Sequence, residues 1–161
     1  MTIQKNERQE QKDIKVYLGD KYYSFYTKDH KIRSWNLSGL FFGMFWLAYR
    51  KRYLLVCIFI FIDVLVSFLF RNHLLYWLVF AFLMHFYIGK SGNLLYIAGT
   101  KKHIKQIRIK YSYLHSKEIA PILVKIGRPS WIPTFPLLVY FVVFHAYIFS
   151  YEIDTILKLF F

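Results

Sequence analysis

Eighteen consecutive residues, Tyr53 to Phe70, contain a single charge, Asp63. As a helix this run reaches about 27 Å, close to the roughly 30 Å hydrocarbon core of a bilayer. A second apolar run covers Leu74 to Ile88, and a third covers Leu137 to Tyr151. In lipid every backbone polar group must be bonded within its own segment, so runs of this kind have to be helices. The expected fold is all-α, an integral membrane helical bundle with transmembrane spans at 53–70, 74–89 and 132–151. Pro133 and Pro136 fall where the last span starts, a position that tolerates proline. Arg71, Asn72 and His73 leave room only for a tight turn, so the first two spans form an antiparallel hairpin.

Upstream lies a shorter apolar stretch. Trp35 to Tyr49 holds 15 residues without a charge and runs directly into Arg50, Lys51 and Arg52. As a helix it reaches about 22 Å, too short to cross comfortably. It is expected to be a re-entrant or interfacial helix at 35–49. Gly39 and Gly43, four apart, give it a smooth face for close helix contact. Trp35, Trp46 and Tyr49 suit a membrane interface.

The remaining segments are polar. Residues 1–34 are expected to form a cytoplasmic N-terminal segment, frayed over 1–13, ahead of a membrane domain at 35–161. Gly19-Asp20 signals a turn, and Lys21 to Lys28 suits one or two helical turns with tyrosines toward the membrane surface. Between Lys90 and Arg128, Ile104, Ile107, Tyr111 and Leu114 recur at spacings of three and four among lysines and arginines. That pattern predicts a basic amphipathic helix over 93–119, lying in the interface or packed on the membrane domain. Asn93 is placed to cap it. Tyr96 would point back toward Trp46 or Tyr49. Pro121 is expected to interrupt it, with Gly127 a plausible C-terminal cap.

Orientation follows from charge. The chain carries 22 Lys and Arg and a net charge of +13. If 35–49 does not cross, 20 of the 22 fall on one side of the membrane. The positive-inside rule then places the N-terminus in the cytoplasm and the C-terminus outside. Basic residues beside apolar spans read as anchors to anionic lipid headgroups rather than as a nucleic-acid surface. Arg50, Lys51, Arg52, Lys101, Lys102 and Lys105 are the candidate headgroup ligands.

Three polar residues fall inside apolar runs: Asp63, His145 and His85. Asp63 and His145 lie at comparable depths in their spans. The simpler expectation leaves each bonded to a nearby hydroxyl, such as Ser67 or Ser150; the alternative has them face each other. His85 is expected near the interface, hydrogen-bonded. The single cysteine, Cys57, reads as a small buried hydrophobe. Nothing in the spacing of His85, His103 and His115 requires a shared metal, and no cofactor is implied. No nucleophile–base pair, paired carboxylate set or phosphate-cradling glycine loop is present, which points away from an enzyme. The expected role is a non-catalytic accessory, immunity or regulatory subunit, with a membrane-protein partner or a second copy of the chain. A proton or transport pathway through Asp63 and His145 is the alternative, as is anionic-lipid binding.

Asn36-x-x-Gly39-x-Phe41-Phe42-Gly43-x-x-Trp46-x-x-Tyr49-Arg50-Lys51 resembles the N-x-x-A-x-F-F-G-P-x-W-x-x-Y-R-K signature of the bacterial DUF2628 membrane proteins. Asn93-x-x-Tyr96, followed by Lys101 and Lys102, resembles that family's second feature. The resemblance spans roughly residues 17 to 130. It implies a multi-pass protein of the bacterial cytoplasmic membrane, in a family without an established function. Met44 stands where the family usually has proline, so the sequence gives less reason to expect a kink after Gly43.

Overall fold

A computed structural model describes residues 2–70 and 74–160, which form helices joined by turns. In chain order these are α1 (Thr2–Leu18), α2 (Tyr22–Phe25), α3 (Leu37–Tyr49), α4 (Tyr53–Leu69), α5 (Leu74–Lys110), α6 (Ser116–Gly127) and α7 (Thr134–Phe160). The expected tight turn at Arg71, Asn72 and His73 lies outside the described residues. The protein is all-helical, as its apolar runs require; an isolated bridge between Tyr26 and Ile32 is the β-type pairing described. Of the described helices, α5 is long and apolar enough to cross a membrane, while α3, α4 and Thr134–Ile148 are shorter apolar helices.

The chain divides into two compact units, residues 1–35 with 91–129, and residues 36–90 with 130–161. The first has a mixed core of apolar and polar side chains. Asp13, Ile14, Tyr17 and Leu18 form one buried face of α1, and α6 packs on it through Ile119 and Leu123. Residues 2–13, part of the segment expected to fray, are helical because this face has a partner; a short helix gains its stability chiefly from such packing. At Gly127 the α6 backbone touches the Tyr17 carbonyl so closely that a Cβ would not fit. Gly127 therefore serves close approach rather than a left-handed cap.

Three further expectations fail. No new helix starts at Asn93: α5 runs unbroken through Gly89, Lys90, Ser91 and Gly92. Gly89 sits against Leu40, where a Cβ would come 2.9 Å from the leucine Cβ, so that glycine serves helix contact instead of helix termination. The break comes later, at 111–115. There α6 restarts with the His115 N–H donating to Glu118 (2.7 Å), one half of a capping box. Pro121 lies inside α6 rather than ending the preceding helix. The tyrosines of the α2 region also depart from expectation: Tyr22 and Tyr26 are buried and stacked on each other, and only Tyr23 is exposed.

The second unit inverts the usual arrangement. Helix α4 buries Val56, Phe59, Asp63 and Ser67, its acid and its serine included. It exposes Leu54, Ile58, Phe61, Leu65 and Phe68. Cys57, expected buried, is exposed on this apolar surface. Helix α7 does the same, burying His145 while exposing Phe135, Val139, Val142 and Val143. Helix α3 packs on both α4 and α7. Helix α7 continues to Phe160, past the end of the expected span at 151.

Candidate functional site

The family-like motif builds α3 and its contacts. Asn36 caps the helix, its side chain accepting from the Gly39 N–H at 2.9 Å, and its own N–H donates to the Gly89 carbonyl of α5 (2.7 Å). Gly39 lies against Ile88, where a Cβ would meet the isoleucine at 3.1 Å. Gly43 then breaks the helix with φ 48° and ψ −122°, a conformation reserved for glycine. The result is two six-residue halves, 37–42 and 44–49, each about 9 Å long. The kink is thus present without the proline. The His85 imidazole fills its inner side, and Nδ1 donates to the Leu40 carbonyl (3.0 Å), one of the acceptors at the end of the first half.

The second half of α3 ends in a Schellman turn. The Arg52 N–H bonds the Leu47 carbonyl and the Lys51 N–H bonds that of Ala48, with Lys51 in the left-handed region at φ 59°. Trp46 is buried, and Arg50 lies over the rings of Trp46 and Tyr49 at 5.9 and 5.6 Å. Tyr49 packs on Trp131 with centroids 4.4 Å apart. Phe41 and Phe42 point outward. The basic triplet is therefore the turn between α3 and α4, with Lys51 exposed at its corner.

The second motif does a different job from the one expected. Asn93 sits mid-helix, and its amide donates to the carbonyls of Arg33 (3.1 Å) and Trp35 (3.0 Å), so it fastens the chain leading to α3 instead of capping a helix. Tyr96 is buried against Phe25, centroids 4.9 Å apart, rather than turned toward Trp46 or Tyr49. Of the candidate headgroup ligands, Lys101 pairs with Glu10 of α1 at 2.8 Å, while Lys102 and Lys105 are exposed. Arg108 holds Asp13 through two hydrogen bonds, and that bond keeps its guanidinium above the usual arginine range.

The polar residues of the apolar runs converge in part. Asp63 Oδ2 lies 3.5 Å from His145 Nε2, and both side chains are buried. The Tyr140 hydroxyl donates to the same carboxylate oxygen at 3.1 Å, and His145 Nδ1 donates to the Phe141 carbonyl at 2.9 Å. Trp77 and Phe141 pack on the imidazole with centroids at 4.9 and 4.1 Å. Ser67, one turn beyond Asp63 on the same buried face, has a hydroxyl with no hydrogen-bond partner among the described residues. Ser150 is not part of this cluster; its hydroxyl donates to the Tyr147 carbonyl. His85 is not part of it either, being committed to α3.

Sequence reading missed Tyr140, because a tyrosine in an aromatic run looks like packing. It lies five residues before His145, outside the i, i+3 and i, i+4 spacings that mark a shared helix face, so spacing gave no signal. His103 bonds the Tyr17 hydroxyl (3.3 Å) and His115 opens α6, so His85, His103 and His115 serve three separate structural roles. No family model matches the chain, and neither a curated protein nor a solved structure does.

Proposed function

We propose that this chain is a small integral membrane protein whose 36–90 and 130–161 unit sits in lipid and whose 1–35 and 91–129 unit lies in the cytoplasm. The observation that carries the reading is the inverted burial of α4. A helix that hides Asp63 and Ser67 while exposing Phe61 (69%) and Phe68 (72%) is suited to a solvent of acyl chains. Within that reading, the break at Gly43 lets the short halves of α3 dip into one leaflet and return. The spans are α4, the first part of α5 and α7. Membership of the DUF2628 family is proposed on the motif residues alone.

The role we assign is non-catalytic: an accessory, immunity or regulatory subunit acting through membrane partners. Aromatic packing closes Asp63 and His145 off from solutes, which supports this over an enzyme. Binding of anionic headgroups is the second reading, supported by the exposed Lys102 and Lys105 and the net charge of +13. Two measurements test the membrane claim. The protein is expected to stay in the pellet on alkaline carbonate extraction; release into the supernatant refutes it. A periplasm-active reporter fused after Phe161 is expected to be on and one fused after Lys110 off; the reverse pattern overturns the topology.

A further inference from the structure

We propose that Asp63 and His145 form a proton-binding site that holds one proton for the pair, on Asp63 Oδ2 or on His145 Nε2. The site does not depend on the membrane reading, because both side chains are buried in the fold in either setting. A carbonyl only accepts, so the bond from His145 to the Phe141 carbonyl fixes a proton on Nδ1. In the neutral ring, Nε2 is then a bare lone pair; it faces the carboxylate oxygen at 3.5 Å and has no hydrogen-bond partner among the described residues. With no proton in that gap, a carboxylate is buried opposite a lone pair. With two protons, an imidazolium is buried opposite a neutral acid. Either state leaves one uncompensated charge among apolar groups, which is costly. One proton makes the pair neutral overall, whether it resides on oxygen or on nitrogen.

Among the described residues, the groups packed on the pair are the Tyr140 hydroxyl, Phe141 and Phe144 on α7, the helix that carries His145, and the Trp77 ring on α5, and none of them brings a competing charge. Tyr140 is a positioning residue: its hydroxyl holds Oδ2 and supports the carboxylate form when the proton moves to nitrogen. Transfer breaks one O–H bond and forms one N–H bond, with no change in total charge. Ser67, buried one turn away with a hydroxyl unpartnered among the described residues, adds a further polar group on the face of α4 that carries Asp63.

The test is nitrogen NMR of the full chain in lipid nanodiscs at neutral pH, with the histidine rings labelled. The expected wild-type spectrum shows His145 protonated at Nδ1, with Nε2 shifted away from a free lone pair. Asp63→Leu removes the acid without adding a donor, and should move the Nε2 signal to that of free, unprotonated imidazole. Should Asp63→Leu fail to fold, Tyr140→Phe takes its place and should shift Nε2 part of the way in the same direction. A wild-type ring bare at Nδ1, or an Nε2 signal that neither substitution moves, overturns the proposal.

Discussion

Gly43→Ala gives opposite signs under two views of α3. If residues 37–49 formed one straight helix, alanine would stabilise it by about 1 kcal/mol, the usual gain over glycine in a helix interior. The structure instead puts Gly43 at φ 48° and ψ −122°, outside every region open to an L-residue. Forcing alanine there costs about 1–3 kcal/mol. The added Cβ would lie 2.7 Å from His85 Nε2 and 2.9 Å from its Cδ2, so the ring must also move. Moving it gives up the bond to the Leu40 carbonyl, a further loss of about 1 kcal/mol. The expected total is a destabilisation of about 2–4 kcal/mol, read as a lower thermal midpoint for the full chain in detergent. In a His85→Ala background the collision is gone and only the backbone cost remains, so the penalty should fall by about 1 kcal/mol. A Gly43→Ala protein as stable as the parent, or more so, refutes the broken helix.

Arg108→Met should destabilise the chain by about 2 kcal/mol in denaturant unfolding, because it leaves the Asp13 carboxylate buried without its two-point partner; adding Asp13→Asn should restore part of the loss. Lys51→Gly should stabilise by about 0.5–1 kcal/mol, since glycine relieves the left-handed strain at the Schellman turn and loses part of that gain in unfolded-state entropy. Burial, with added repulsion from Tyr22 and Glu10, pushes the Tyr26 hydroxyl from 10.0 up to about 12. Between those values the unfolded chain has lost a proton that the folded one keeps, so stability falls as pH rises through this window. Tyr26→Phe should flatten that fall and cost little at pH 7, where the hydroxyl has no hydrogen-bond partner among the described residues; an unchanged slope counts against it.

Much of the helical layout was legible from runs of apolar residues, because a helix needs only local bonds and a suitable face. Helix α4 begins at Tyr53 as expected and ends within a residue of the expected boundary. The stop after Tyr49 was visible in the basic triplet, though not its Schellman form. Polar segments were harder. Residues 2–18 show little sign of helix because their stability comes from α6 and from Arg108, 95 residues away from Asp13. Glycines were the most ambiguous letters. The helix expected to begin at Asn93 implied a break after Gly89 that does not exist, while Gly43 made a kink without the proline whose absence had weakened the case for one.

By itself the sequence determined that the protein is all-helical, where most of the apolar helices lie, and which apolar runs carry polar groups. Those properties depend on composition and spacing within a segment. Tertiary structure alone decided what the polar groups face. Asp63 meets Tyr140 and His145 because α4 turns its acid inward against α7. His85 meets Leu40 because Gly43 opens α3 beside it, and Asn93 reaches the Arg33 and Trp35 carbonyls because α5 does not stop. A residue's own helix fixes its angular position, but only packing against a second helix fixes its partner.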